Sequence, residues 1–213
     1  SHQLMPVSQW YQPELVGDDR IAGYDVVKLG LRARDDLRYS HQLWLEKSTG
    51  LLVKSHVRSV GGEVLEHFQF TSLEITDSLP DSEFIVQTEG EAIKRELKPK
   101  QTSSPAARMD GWTLEWRPDG FVPAAAPRSG KGQAVAFSDG LAAFSVFVEP
   151  ARKMVMPTGA SRIGATTVYM KQLSVDDIAF FVTVVGEVPP TTARKVAESV
   201  TIDDTLAFGG GRK

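Results

Sequence analysis

Cysteine is absent from this 213-residue chain, so neither a disulfide framework nor a thiolate metal site is open to it. The absence does not identify the compartment. Basic residues are not in excess: the formal net charge is -3, and no global positive field gathers nucleic acid or anionic lipid. No apolar run approaches the length that crosses a bilayer as a helix. The opening residues Ser1 to Pro6 lack the basic-then-apolar pattern of a secretory signal, and a mature or trimmed chain would look the same, so export is not read from this end. Catalytic signatures are also missing. No Gly-x-Ser-x-Gly elbow exists, and Ser138-Asp139-Gly140 reads as a turn between strands because Asp and Gly favour that backbone geometry. Gly130-Lys131-Gly132 lacks the spacing of a phosphate loop, and the stretch from Gly159 to Gly164 reads as a loop. No enzyme activity and no cofactor are expected.

What is present is ordinary globular material: 41% hydrophobic and 24% charged residues are enough for a real core. The first part reads as antiparallel strands. After a turn signal at Gly17-Asp18-Asp19, strands are predicted over Tyr24 to Leu31, Tyr39 to Glu46, Leu51 to Val57 and Val64 to Ile75. They are punctuated by Lys47-Ser48-Thr49-Gly50 and Gly61-Gly62, turns short enough that sequence neighbours must pair in a meander. Residues 98–107 are polar, proline-bearing and aperiodic, which is linker composition, and divide the chain into modules 1–97 and 108–203, with a tail at 204–213. The second module shows short strands at Trp112 to Trp116, Gln133 to Phe137, Ala143 to Glu149, Thr166 to Leu173 and Ile178 to Val185. Pro189-Pro190 then opens a helix whose apolar stripe is Ala193, Val196, Ala197 and Val200.

Two sets of side chains compete for a role on the first sheet. If Glu46 pairs with Leu51 and Val60 with Glu63, then His41, His56 and His67 align across three strands on one face, a geometry that suits zinc or a pH response. The alternative is three solvated polar positions, and a one-residue slip undoes the row. Under the same registers Trp44, Val53 and Phe70 line the opposite face with Phe68 beside them. Such a stripe is either core packed against a helix or an apolar surface that receives acyl chains or an apolar peptide.

The segment Leu43-Trp44-Leu45-Glu46-Lys47-Ser48-Thr49-Gly50-Leu51-Leu52-Val53-Lys54-Ser55 resembles the strand-turn-strand of the RseB/MucB family, and Val64-Leu65-Glu66-His67-Phe68-Gln69-Phe70 resembles the strand that follows it there. The run from Phe137 to Glu149, Gly164-Ala165-Thr166, and Val184-Val185-Gly186-Glu187-Val188-Pro189-Pro190 extend the resemblance over nearly the whole chain. It implies a mainly β, α+β protein: part of a curved antiparallel half-barrel similar to the lipoprotein carriers LolA and LolB, followed by a smaller C-terminal α+β domain. It implies a periplasmic location and a partner, the periplasmic domain of an anti-sigma factor of the RseA/MucA type, shielded from proteolysis. It also implies release by a lipid or lipopolysaccharide ligand. Candidate lipid contacts are Trp44, Val53, Phe68 and Phe70; candidate partner contacts are Phe144, Val146, Phe147 and Val148. No nucleic acid partner is expected. The family's large domain has further strands and helices ahead of the matching part, so an unpaired sheet edge and a homo-oligomer are expected here. A lipid or lipoprotein carrier is the rival reading.

Overall fold

The computed structural model describes residues 7–72, 107–109, 111–124, 133–151 and 157–203. Its first sheet is a meander of β1 (Tyr11–Ile21), β2 (Tyr24–Ala33), β3 (Ser40–Glu46), β4 (Leu52–Arg58) and β5 (Val64–Gln69), each hydrogen-bonded to its sequence neighbour. Tyr24 to Leu31 and the three strands after it follow the β-branched and aromatic runs of the sequence. β1 was not predicted. Gly17-Asp18-Asp19 is not a turn: it lies within β1, where a bulge between Leu15 and Gly17 absorbs one residue and Gly17 takes φ 142. The reversal falls at Ala22-Gly23, both at positive φ (50 and 86), as a two-residue hairpin requires.

The second part holds a six-stranded antiparallel sheet in the order β11-β12-β13-β10-β9-β8. Its strands are β8 (Val122–Ala124), β9 (Gln133–Ser138), β10 (Ala143–Pro150), β11 (Gly159–Ile163), β12 (Thr166–Val175) and β13 (Ile178–Gly186). A small sheet of β6 (Ala107–Arg108), β7 (Trp112–Leu114) and β14 (Val200–Ile202) joins it, with β7 in the middle. The stretch between Gly159 and Gly164, expected as a loop, is the edge strand β11. Ala107, placed in the linker, pairs with Leu114; the remaining linker positions, the tail, and the end of the strand predicted to reach Ile75 lie outside the described residues.

Helix α1 (Pro190–Glu198) starts with proline in its first turn, where the missing N–H has no intrahelical carbonyl to meet. It buries Ala193, Val196 and Ala197 against the sheet and stops at Ser199, whose N–H reaches the carbonyls of Lys195 and Val196. Val200 is buried, but in β14 rather than on the helical stripe.

The hydrophobic material is shared unequally. One continuous core in the second part joins Trp112, Phe121, Phe137, Phe144, Val146 and Phe180 with the helix. Among the described residues the first sheet has two small clusters, Ile21-Val26-Trp44-Val53 and Val7-Tyr11-Leu31. With each buried apolar side chain contributing about 1.5–3 kcal/mol, the second module holds most of the burial, and the first keeps apolar surface in reserve.

Candidate functional site

Side chains alternate across a strand, so the observed registers assign each residue of the first sheet to a face. The β3–β4 register runs Trp44↔Lys54, Gln42↔His56 and His41↔Val57, then slips to Leu45↔Leu52. The extra residue is Val53. This bulge corrects the predicted alignment: His41 sits on the opposite face from His56, so the row of three imidazoles does not form. The β4–β5 register does pair His56 with His67, their rings 6.2 Å apart. Among the described residues no three His, Asp or Glu side chains gather as a metal-holding set.

The same slip divides the predicted apolar row. Trp44 and Val53 join Ile21 and Val26 in a buried cluster on one face. There the Trp44 indole N–H donates to Asp19 Oδ2 (3.2 Å), while His56 packs edge-on at 4.7 Å and the Lys54 ammonium lies 4.6 Å from the ring centre. Burial, aided by Lys54, Arg58 and His67, pushes the His56 imidazole below its ordinary value. Phe68 and Phe70 lie on the other face, stacked edge-to-face at 4.9 Å and exposed by 44% and 37%. Leu29 and Leu43, half-buried, continue that face, and Leu15 at its far edge is 73% exposed. The outcome is an apolar sheet face open to solvent at one end, with Phe68 and Phe70 at its rim and Trp44 and Val53 beneath the opposite side.

The other end of this face meets the second module through a buried ionic hub. Arg38, in the β2–β3 connection, and Asp139, in the β9–β10 turn, are both fully buried and bonded at 2.8 Å (Nη1 to Oδ2). The guanidinium also donates Nη2 to the Asp119 carbonyl (2.6 Å) and Nε to the Asp35 carboxylate (3.1 Å). It lies 5.1–5.9 Å from the ring centres of Trp10, Tyr11 and Phe121. Asp139 accepts from the Tyr11 hydroxyl (2.8 Å) and from the backbone N–H groups of Leu141 and Ala142 (2.9 and 2.8 Å). Burial, then the Asp139 charge, drives the Tyr11 hydroxyl far above its usual range. Burial pushes His41, 5.8 Å from the Tyr11 ring, below its ordinary value. Two lighter contacts assist: Thr192 Oγ1 donates to the Leu37 carbonyl (2.9 Å), and the Glu66 carboxylate accepts from the Ala165 N–H (3.3 Å). Gly120, at φ +86, leaves the space its side chain would fill to the Trp10 ring. Ser138 Oγ donates to the Ala142 carbonyl (3.0 Å) as part of the turn.

Of the residues proposed to meet a partner, Phe144, Val146 and Val148 point into the second core at 1%, 0% and 3% exposure. Alternation along β10 turns Phe147 to the other face, half-buried, so Phe147 alone of the four offers surface. A shallow, open depression of about 370 Å³ lies by β11, β12 and the end of α1, lined by residues such as Tyr169, Lys171 and Glu198. It has the walls of a surface groove rather than of a closed ligand pocket.

Comparison with known proteins gives consistent matches. The MucB/RseB N-terminal domain profile fits residues 1–88, and the MucB/RseB C-terminal domain profile fits residues 106–201. The sigma factor AlgU regulatory protein MucB of Pseudomonas aeruginosa is 38% identical over 93% of this chain, which spans 65% of that relative's length. The crystal structure of MucB in complex with MucA(peri) superposes with a TM-score of 0.74 at 32% identity, covering 95% of this chain and 71% of that one. The crystal structure of MucB alone superposes with a TM-score of 0.64 at 32% identity, covering 94% and 66%.

Proposed function

The chain belongs to the MucB/RseB family, and from that premise we propose that it is a periplasmic regulator that binds the periplasmic segment of a membrane anti-sigma factor of the MucA/RseA type. Binding shields the segment from regulated proteolysis, and a lipid-like stress signal releases it. The observation that supports this reading most is the likeness, over 95% of the chain, to MucB captured with MucA(peri). The open apolar sheet face with Phe68 and Phe70 at its rim supports an acyl-chain input, because exposed contiguous apolar surface marks binding sites more often than it marks plain surface. Reciprocal linkage supplies the mechanism: a lipid that binds better to the partner-free protein must weaken partner binding by the same factor.

A protection assay tests this directly. Purified chain is mixed with the periplasmic segment of Pseudomonas aeruginosa MucA, and a site-1-type protease is added with and without lipopolysaccharide. The expected result is slowed cleavage in the absence of lipid and restored cleavage in its presence. Unslowed cleavage at saturating chain concentration contradicts the regulator reading. Stoichiometric extraction of acylated protein from vesicles, with cleavage unaffected, establishes the carrier instead.

A further inference from the structure

We propose that the Arg38 hub is a latch: closed, it holds the two modules in the arrangement that grips the partner, and opening it lowers partner affinity without unfolding either module. The inference rests on the functional reading above and adds the element that regulates it.

Three observations carry it. First, the polar contacts between the first sheet and the second part concentrate around one side chain. Arg38 reaches Asp139 and the Asp119 carbonyl, and Tyr11 reaches the same carboxylate oxygen of Asp139. Two further links, Leu37 with Thr192 and Glu66 with Ala165, are single hydrogen bonds. Apolar packing is added by Leu141 on the Val7-Tyr11-Leu31 cluster and by Gly120 against the Trp10 ring, and modules whose junction is not large and hydrophobic move relative to each other by default.

Second, the cross-module contacts of the hub are made and lost together. Arg38 is fully buried, its donors are fixed on three separate acceptors, and three aromatic rings surround it. A shift of the second module strips Asp119 and Asp139 from it together, leaving the guanidinium to Asp35 and parting the buried Asp139 carboxylate from both Arg38 and Tyr11. Arrangements that differ by repacking a buried charge are discrete, which is what a switch needs. Opening breaks no strand pairing, because each sheet closes its ladders within its own part of the chain.

Third, the chain is not equally like two relatives of known structure. At near-equal identity and coverage, the chain superposes with a TM-score of 0.74 on MucB in complex with MucA(peri) and of 0.64 on MucB alone. The structure described above, in which the hub is closed, is closer to the complex. Partner affinity then scales with the fraction latched: a variant that is one-tenth closed binds about tenfold more weakly than a fully closed one.

The absence of cysteine makes the test clean. Glu63→Cys and Arg194→Cys, both exposed and one on each module, take spin labels whose separation is read by pulsed electron resonance. Two variants open the latch by different routes. Arg38→Met removes the charge, and Gly120→Ala keeps every charge but drives its Cβ into the Trp10 ring. In parallel, calorimetry measures affinity for the periplasmic segment of Pseudomonas aeruginosa MucA. The expected result is one narrow distance in the parent, a shifted or broadened one in both variants with circular dichroism unchanged, and affinity at least tenfold weaker. Unchanged distances in both variants overturn the latch, as does parental affinity in a variant whose distances change. If one variant unfolds, the other decides; if both unfold, the hub is a folding element and the proposal falls. If the parent itself does not bind the segment, the functional reading fails, and unchanged or altered distances still judge the latch.

Discussion

Removing the Arg38 charge should cost far more than removing a surface charge, and the structure says how much. Arg38 and Asp139 are both fully buried, and breaking such a pair from one side costs about 3–5 kcal/mol because a charge is left unmatched. Asp139 keeps the Tyr11 hydroxyl and two backbone N–H groups when Arg38 is replaced, which places Arg38→Met at the lower end, about 3 kcal/mol. For a chain of this size that is a fall in melting temperature of about 6–12 °C. Asp139→Asn leaves Arg38 its contacts with Asp35 and the Asp119 carbonyl, so its cost is smaller. The double variant should cost less than the sum of the singles, by about 1–3 kcal/mol of coupling. Urea unfolding followed by circular dichroism and tryptophan fluorescence reads all four corners of the cycle. Because the pair is shielded from solvent ions, raising the salt concentration should leave the coupling unchanged. A loss below about 1 kcal/mol for Arg38→Met, or a coupling that vanishes in salt, is the behaviour of an exposed pair and refutes the reasoning.

Other consequences follow from burial and protonation. Phe144→Ala should destabilise by about 3–5 kcal/mol through a cavity in the second core, whereas the half-buried Phe147→Ala should cost clearly less; chemical denaturation of the two checks it. Glu46 is held at about 2, chiefly by the Thr49 hydroxyl and then by the Ser48 backbone and hydroxyl, in the β3–β4 turn. Its folded value lies below the unfolded 4.5, so its contribution is present above that value and is lost as the pH falls from about 4.5 towards 2. Glu46→Gln should abolish that part of the acid-unfolding profile. His41 is also lowered, from 6.5, by burial. The unfolded chain therefore takes up a proton first, and stability declines as the pH drops below about 6.5. His41→Phe should flatten that upper segment of the pH-melting curve.

Much of the fold was legible because β2, β3, β4, β10, β12 and β13 carry runs of β-branched and aromatic residues bounded by glycine, and because Pro190 marks a helix start. β1 escaped notice since Pro13, Gly17 and two aspartates interrupt its alternation, and it is held by pairing with β2 through a bulge. β11, Gly-Ala-Ser-Arg-Ile, has almost no intrinsic strand preference and exists as the partner of β12. The bulge at Val53 was invisible for a related reason: Leu51-Leu52-Val53 is uniformly apolar, so no alternation pins the register, and the slip moves Trp44 and Val53 away from Phe68 and Phe70. The hub was out of reach altogether. Its two charges stand 101 residues apart, and Ser138-Asp139-Gly140 carries the same letters whether its aspartate caps a turn or anchors a neighbouring module.

The function proposed for this chain is to hold the periplasmic segment of an anti-sigma factor. Isothermal titration of the purified chain with the periplasmic segment of Pseudomonas aeruginosa MucA measures it. The expected result is saturable one-to-one binding at micromolar affinity or tighter, weakened by Arg38→Met. Heat no different from dilution, from a chain whose circular dichroism is intact, contradicts it.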